Sequence, residues 1–282
     1  MTAQLKLGLI GDNIAASRSP RLHQIAGEQN GIAVTYDRLV PLQMGRSWDE
    51  ILAALPAEGY RGTNVTYPYK EKAAAVVRID DPLVAAMGAV NTVIFEADGP
   101  RGFNTDHSGF MAAYRGLRGE TRPGVVAMIG TGGVGRAVAF GLLGLECTEL
   151  RLVDRDPARA EALARDLRAA APGVTVTCHA DAAGAVAGAE GVINCTPVGM
   201  VGYEGTPVPR AALAGAGWAF DAVYTPEHTQ FLADARAEGL AILSGWELFF
   251  WQGVHAWTLF SGLDLDRDAL RRSLRAEEAR AA

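Results

Sequence analysis

The chain has 282 residues, 49% of them hydrophobic, and a formal net charge of -6; that is ample apolar material for one large or two compact domains and excludes a disordered chain. Its basic residues are scattered and form no contiguous stripe, which excludes nucleic acid or an anionic membrane as the main partner. No apolar run approaches the roughly 20 residues that span a bilayer, and MTAQLKLGLIG lacks the features of a signal peptide, so a soluble, cytoplasmic protein acting on a small molecule is expected.

In chain order, short apolar runs alternate with helical periodicity: a strand over Leu5 to Ile10, a helix over Arg21 to Gly31, a strand over Val34 to Val40, a helix over Ser47 to Leu55 and a strand over Gly62 to Val65. Helices over Pro68 to Val77 and Pro82 to Met87 follow, then strands over Asn91 to Phe95 and Arg101 to Asn104 about the Asp98-Gly99 turn. The first domain ends near Asp106, and a helix over His107 to Leu117 leads out of it. From Val125 the pattern is strand, glycine turn, helix (Gly133 to Leu145), strand (Glu149 to Val153), helix (Pro157 to Ala170), strand (Val174 to Cys178), helix, strand (Gly191 to Asn194). Strands over Trp218 to Tyr224 and Leu240 to Leu243 flank a helix from Thr229 to Glu238; an aromatic helix from Trp246 to Phe260 and a charged one from Arg267 end the chain. The expected class is α/β: a substrate domain over 1–106, a doubly wound Rossmann-type dinucleotide domain over 107–245, and helices over 246–282 returning to the first. Cys147, Cys178 and Cys195 are too widely spaced for a metal cluster or a disulfide framework, and no metal is expected.

Of 26 basic residues only Lys6, Lys70 and Lys72 are lysines. A guanidinium stays protonated whereas an amine can act as a base, so Lys70, in NVTYPYK, is a candidate for proton transfer beside the alternative of a solvated helix lysine. The helix that Pro68 would begin puts it in the first turn, where the positive helix end disfavours an ammonium.

Gly130, Thr131, Gly132, Gly133, Val134 and Gly135 fit GxGxxG directly after a strand and at the opening of a helix, where backbone amides can approach a pyrophosphate. Asp154 stands at the end of the next strand, where a carboxylate accepts from ribose hydroxyls and repels the extra phosphate of NADP. NAD is therefore expected, with NADP left open by Arg155, which a phosphate could use.

Four polar clusters stand at strand ends or helix starts: Ser17-Arg18-Ser19-Pro20, Asn64-Val65-Thr66, Asn91-Thr92 and Asn104-Thr105-Asp106. Each has a structural reading: Ser19 or Thr66 as a helix cap, the others as turn residues. Together they supply the lining that a polyhydroxylated substrate requires. The order SRSP, NVTYPYK, GAVNT, NTD, GTGGVG, NCTPVGM and a late Gln252 resembles the shikimate/quinate dehydrogenase family from about Leu7 to Leu263.

The resemblance implies a two-domain enzyme that interconverts shikimate and 3-dehydroshikimate, or quinate and 3-dehydroquinate, with a nicotinamide cofactor. It assigns Ser17 and Ser19 to the substrate carboxylate, Asn64, Thr66, Asn91 and Gln252 to the ring and its hydroxyls, and Tyr224 to the cleft. Lys70 and Asp106 match the catalytic pair, while Thr196, Val223 and Gly245 join the cofactor residues. The segment from Thr196 to Pro209 suggests a loop over the nicotinamide. The Asp154-Arg155-Asp156 run is closer to NAD-using relatives, while Ser19 keeps the shikimate-type hydroxyl pair. A non-catalytic metabolite sensor of the same fold, a dehydrogenase of an amino-substituted shikimate and a homodimer stay open.

Overall fold

The structure is a computed structural model and describes residues 4–281. It divides into two compact units: one runs up to Thr105 and resumes at Gln252, and the other spans Asp106–Trp251.

The first unit contains β1 (Gln4–Ile10), α1 (Ser19–Gln29), β2 (Ala33–Leu39), α2 (Pro41–Met44), α3 (Trp48–Ala54), β3 (Gly62–Val65), α4 (Lys70–Val76), α5 (Pro82–Met87), β4 (Thr92–Glu96) and β5 (Gly99–Phe103). Its sheet runs β2-β1-β3-β4-β5, with β1 parallel to β2 and β3, and β4 and β5 antiparallel. Antiparallel return at β4 has a functional consequence. Asn64 near the end of β3 pairs with Thr92 at the start of β4, and Thr92 pairs with Phe103 at the end of β5. Three polar clusters far apart in sequence thus meet on one edge.

Apolar alternation fills both faces: Leu7 and Leu9 pack with Tyr36, Ile94 and Phe260, while Ile10 packs with Trp48, Ile51, Val65 and Val93. The start of α3 is held by a reciprocal pair, the Glu50 amide donating to Ser47 Oγ at 3.2 Å and the Ser47 amide to Glu50 Oε2 at 2.8 Å.

Two helix starts and one additional helix correct the sequence reading. Helix α1 starts at Ser19, not Arg21, so Ser19 lies inside the helix rather than capping it, and the Ser17 hydroxyl accepts from the Ser19 amide at 3.3 Å. Helix α4 starts at Lys70, not Pro68, because the Tyr69 amide closes a turn onto the Thr66 carbonyl at 2.9 Å; Thr66 supplies no side-chain cap. Helix α2 was not expected; four residues are too few to register as a period.

The second unit continues with α6 (Thr105–Arg118), β6 (Val125–Ile129), α7 (Gly133–Gly144), β7 (Glu149–Val153), α8 (Pro157–Ala170), β8 (Thr175–Cys178), α9 (Ala182–Val186) and β9 (Gly191–Asn194). A 3₁₀ turn (Arg210–Leu213), β10 (Trp218–Asp221), α10 (Gln230–Ala237) and β11 (Ala241–Leu243) complete its sheet, and α11 (Gly245–Ser261) and α12 (Arg267–Ala281) end the chain. All six strands are parallel, in the order β11-β10-β9-β6-β7-β8. The order reverses between β6 and β9, the place where open α/β sheets bind ligands at their carboxyl ends.

Strand β10 stops at Asp221 instead of Tyr224, because the Asp221 carboxylate takes the Val223 amide and turns the chain. Within α11, Trp246 stacks on Phe250 in the second unit at 5.4 Å, whereas Ala256 and Phe260 join the core of the first. Among the described residues no helix is long and apolar enough to cross a membrane.

Candidate active site

On the polar edge of the first sheet, the hydrogen bonds already made decide what each side chain can still do. Asn64 is 6% exposed. Its amide group donates to Thr92 Oγ1 at 2.9 Å and to the Asn91 carbonyl at 3.3 Å, and its Oδ1 accepts from the Tyr36 hydroxyl at 2.7 Å. Asn91 is arranged oppositely: its Oδ1 accepts from the Thr105 amide (2.7 Å), the Thr105 hydroxyl (3.1 Å) and the Thr92 hydroxyl (3.0 Å). Asn64 therefore retains accepting capacity and Asn91 donating capacity. Thr66 and Lys70, both half-buried, follow β3 on this edge; the Thr66 amide donates to the Ile10 carbonyl and the Lys70 carbonyl accepts from the Val90 amide, each at 2.9 Å.

The turn carrying Ser17 is clamped by Arg38, which donates to the Ile14 carbonyl at 3.1 Å and the Ser17 carbonyl at 2.9 Å. Gln252 lies on α11 one residue before Gly253, and a Cβ at Gly253 would come within 2.4 Å of Leu22 Cδ1. That close approach seats this part of α11 against α1, in the same unit as Ser17 and Ser19. Asp106 and Tyr224 belong to the second unit; Asp106 follows directly on Thr105, and Tyr224 stacks on Phe249 at 5.8 Å.

Behind Asn64 lies a pair that sequence reading missed. His23 is fully buried on α1, stacked on Tyr36 at 5.1 Å and edge-on to Phe260 at 5.6 Å. Burial pushes the Tyr36 phenol far above its ordinary value, against the Ser19 hydroxyl and Arg38, so it donates to Asn64. A tyrosine and a histidine at inward positions of an apolar pattern are the signal that would have found them.

Burial also lowers the His23 imidazole from 6.5 to about 3, opposed by the Asn64 side chain. Below 6.5 the unfolded chain takes up a proton that the folded chain refuses, so this contribution is present at neutral pH and lost as pH falls towards 3. Urea unfolding should show stability falling by up to about 1.4 kcal/mol per pH unit in that window from this group alone. His23→Phe should flatten the slope there; an unchanged slope would remove the assignment.

The glycine turn after β6 is built for close approach. Gly130 has φ +96 and a Cβ there would stand 2.7 Å from the Cys195 carbonyl carbon, while one at Gly135 would stand 2.2 Å from the Gly130 carbonyl oxygen. At Gly132 and Gly133 nothing lies within 4 Å of an added Cβ, so the amino end of α7 opens on free space beside half-exposed Val134. That is the shape a pyrophosphate requires.

Asp154 Oδ2 accepts from the Thr131 amide and hydroxyl, each at 2.7 Å, and Oδ1 from the Asp156 amide at 3.0 Å. Burial opposes the charge, but the Asp156 amide, the Thr131 hydroxyl and amide, and Arg159 outweigh it and hold the carboxyl below the usual aspartate range. Arg155 beside it is exposed. The other residues assigned to the cofactor pack around the same carboxyl edge: Gly130 against Cys195 and Thr196, and Gly245 against the Ala222 and Val223 carbonyls, 2.5 and 2.6 Å from where its Cβ would be.

A doubly wound parallel sheet with a glycine turn at its switch point and a carboxylate after the next strand defines a dinucleotide-binding α/β protein. Residues 9–93 match the shikimate dehydrogenase substrate binding domain. A quinate/shikimate dehydrogenase (NAD(+)) of Corynebacterium efficiens is 40% identical over 94% of this chain and 95% of its own length. The structure of quinate dehydrogenase from Corynebacterium glutamicum in complex with NAD superposes with TM-score 0.91 at 34% identity, covering 97% of this chain and 99% of that one. Shikimate 5-dehydrogenase from Thermus thermophilus, in complex with NADP(H) and shikimate, superposes with TM-score 0.83 at 32% identity over 96% and 99% of the two chains. The chain belongs to the shikimate/quinate dehydrogenase family.

Proposed function

We propose that this chain oxidises a ring hydroxyl of shikimate, reversibly giving 3-dehydroshikimate, with NAD as cofactor, and accepts quinate by the same chemistry. The observation that carries this reading is the complementary pair on the first sheet's edge, Asn64 left to accept and Asn91 left to donate. A ring bearing neighbouring hydroxyls offers both partners, and a simple apolar ligand offers neither. Ser17 and Ser19 hydrogen-bond the carboxylate, and Thr66, Gln252 and Tyr224 hold the ring.

NAD supplies the acceptor for the hydride. An alcohol that surrenders hydride must also lose its hydroxyl proton, and Lys70 takes it at Nζ, returning it in the reductive direction. Asp106 orients the amine and shares the reacting hydroxyl.

The glycine turn and the amino end of α7 fit the pyrophosphate, and Thr131, Gly132, Gly133 and Val134 would hold it. A carboxylate offers about four acceptor directions, and Asp154 has three engaged. The direction left suits a ribose hydroxyl, while the negative charge opposes the additional phosphate of NADP.

Purified protein mixed with shikimate or quinate and either nucleotide, followed by formation of reduced nicotinamide, tests the reading. Turnover should be fastest with NAD, and Asp154→Ala should raise the KM for NAD about tenfold while narrowing the preference over NADP. No reduction with any pair would leave the sensor or an amino-substituted substrate in its place, and a clear NADP preference would sink the role given to Asp154.

A further inference from the structure

Asp221, the last residue of β10, is completely buried, and the donors that reach it are neutral groups from three different segments. Its Oδ1 accepts from Asn194 Nδ2 at 2.9 Å and from the Val223 amide at 3.0 Å, and its Oδ2 accepts from the Thr229 hydroxyl at 2.5 Å. Asn194 passes the constraint on. Its Oδ1 accepts from the Thr196 hydroxyl at 2.6 Å and amide at 3.0 Å, and its Nδ2 also reaches the Val198 carbonyl at 3.0 Å. Thr196 in turn packs against Gly130, whose missing Cβ would lie 2.9 Å from Thr196 Cγ2, and the Val223 carbonyl packs against Gly245. One carboxylate thus stands at the centre of the turns that frame the carboxyl edge of this sheet.

We propose that Asp221 is a positioning residue for the dinucleotide site, fixing the Thr196 turn and the Val223 turn in register with the glycine-rich turn. The proposal rests on the assignment of this edge to NAD. A neutral amide would fill the same space, its oxygen still accepting from Asn194 and the Val223 amide while its NH2 turns to donate to the Thr229 hydroxyl oxygen. These neutral hydrogen bonds would be roughly half as strong as those to a carboxylate. The anion is held there at a cost to the fold, which is what separates a positioning role from a structural one.

Burial pushes the Asp221 carboxyl from 3.8 up to about 6, even though Thr229, Val223 and Asn194 all favour the ionised form. The titratable neighbour is Cys195, on the turn after β9, whose thiol burial keeps protonated. Because the folded value lies above the unfolded one, the folded state gains stability by protonation between these values and gives it up as pH rises through 6. Ionised Asp221 therefore orders the site and strains the fold at the same time.

The test uses the full chain and two variants, Asp221→Asn and Asp221→Ala, with the NAD dissociation constant measured by titration at pH 8 and pH 5.5 and stability by urea unfolding. At pH 8, Asp221→Asn should bind NAD about fivefold more weakly, the weakening expected when charge-assisted bonds become neutral ones, with an unfolding midpoint equal to or above that of the wild type and unchanged KM for shikimate. The wild type should lose NAD affinity between pH 8 and pH 5.5, and Asp221→Asn should lose less. Asp221→Ala, which leaves the Asn194 and Val223 donors without their acceptor, should weaken NAD at least about thirtyfold.

An Asp221→Asn chain that matches the wild type in affinity at both pH values overturns the proposal. So does one that loses stability, NAD and shikimate together, since that is a packing defect. A wild-type chain that binds no NAD overturns the cofactor assignment as well.

Discussion

Replacing Lys70 by alanine should lower turnover by at least about a hundredfold while leaving NAD affinity within about twofold of the wild type. The size follows from the chemistry: without an acceptor in place the hydroxyl proton must pass to solvent, and positioned acid-base groups contribute about 10² to 10⁴ in rate. The fold should not suffer. Lys70 is half-buried at the first position of α4, alanine is the strongest helix former, and the bond from the Val90 amide is made to the backbone of residue 70.

Lys70→Arg separates proton transfer from charge. It keeps the cation but cannot give up a proton, so it should be nearly as inactive as the alanine variant. Recovery of more than a tenth of the activity by arginine would make Lys70 an electrostatic anchor rather than a base, and near-normal turnover of Lys70→Ala would remove it from the reaction.

The second large effect is expected at the glycine turn, where two substitutions of the same size should act differently. A Cβ at Gly135 would stand 2.2 Å from the Gly130 carbonyl oxygen, a backbone atom that no rotamer change can move. Gly135→Ala should push α7 off the turn, destabilise the fold by about 1–3 kcal/mol in urea unfolding and weaken NAD at least about thirtyfold. At Gly132 nothing lies within 4 Å of the added methyl, so Gly132→Ala should unfold like the wild type. Its methyl would occupy the space assigned to the pyrophosphate, and NAD binding should fall about tenfold. Normal NAD binding by Gly132→Ala would show that this turn does not cradle the phosphates.

Much of the architecture was legible because it rests on local signals. The alternation of short apolar strands with helical periods identified an α/β chain, and the run from Val125 to Asp154 placed the glycine turn and the carboxylate at adjacent strand ends. Strands β3, β7 and β9 have the bounds read from their apolar runs, and helix starts were legible where a local device sets them. The reciprocal Ser47 and Glu50 pair set the start of α3, whereas α4 starts two residues later than Pro68 suggests, since the turn from Thr66 to Tyr69 intervenes. Strand β10 ended early because the Asp221 carboxylate takes the Val223 amide, and only the tertiary structure shows that the same carboxylate is held in place by donors from β9 and the start of α10.

By itself the sequence determined which chemical groups are present and in what order: a lysine in a chain whose cations are nearly all arginine, hydroxyl and amide clusters at strand ends, a glycine turn and an acidic residue after the next strand. Those features depend on residue type and short spacing, which the chain carries locally. Only the tertiary structure decided which of them can still bind something. Asn64 and Asn91 look alike in sequence, yet pairing of β3, β4 and β5 commits the amide of one and the carbonyl of the other. His23, Tyr36, Asn194 and Asp221 gained their roles in the same way, because a buried polar group is defined by the partners that distant segments bring to it and not by its neighbours along the chain.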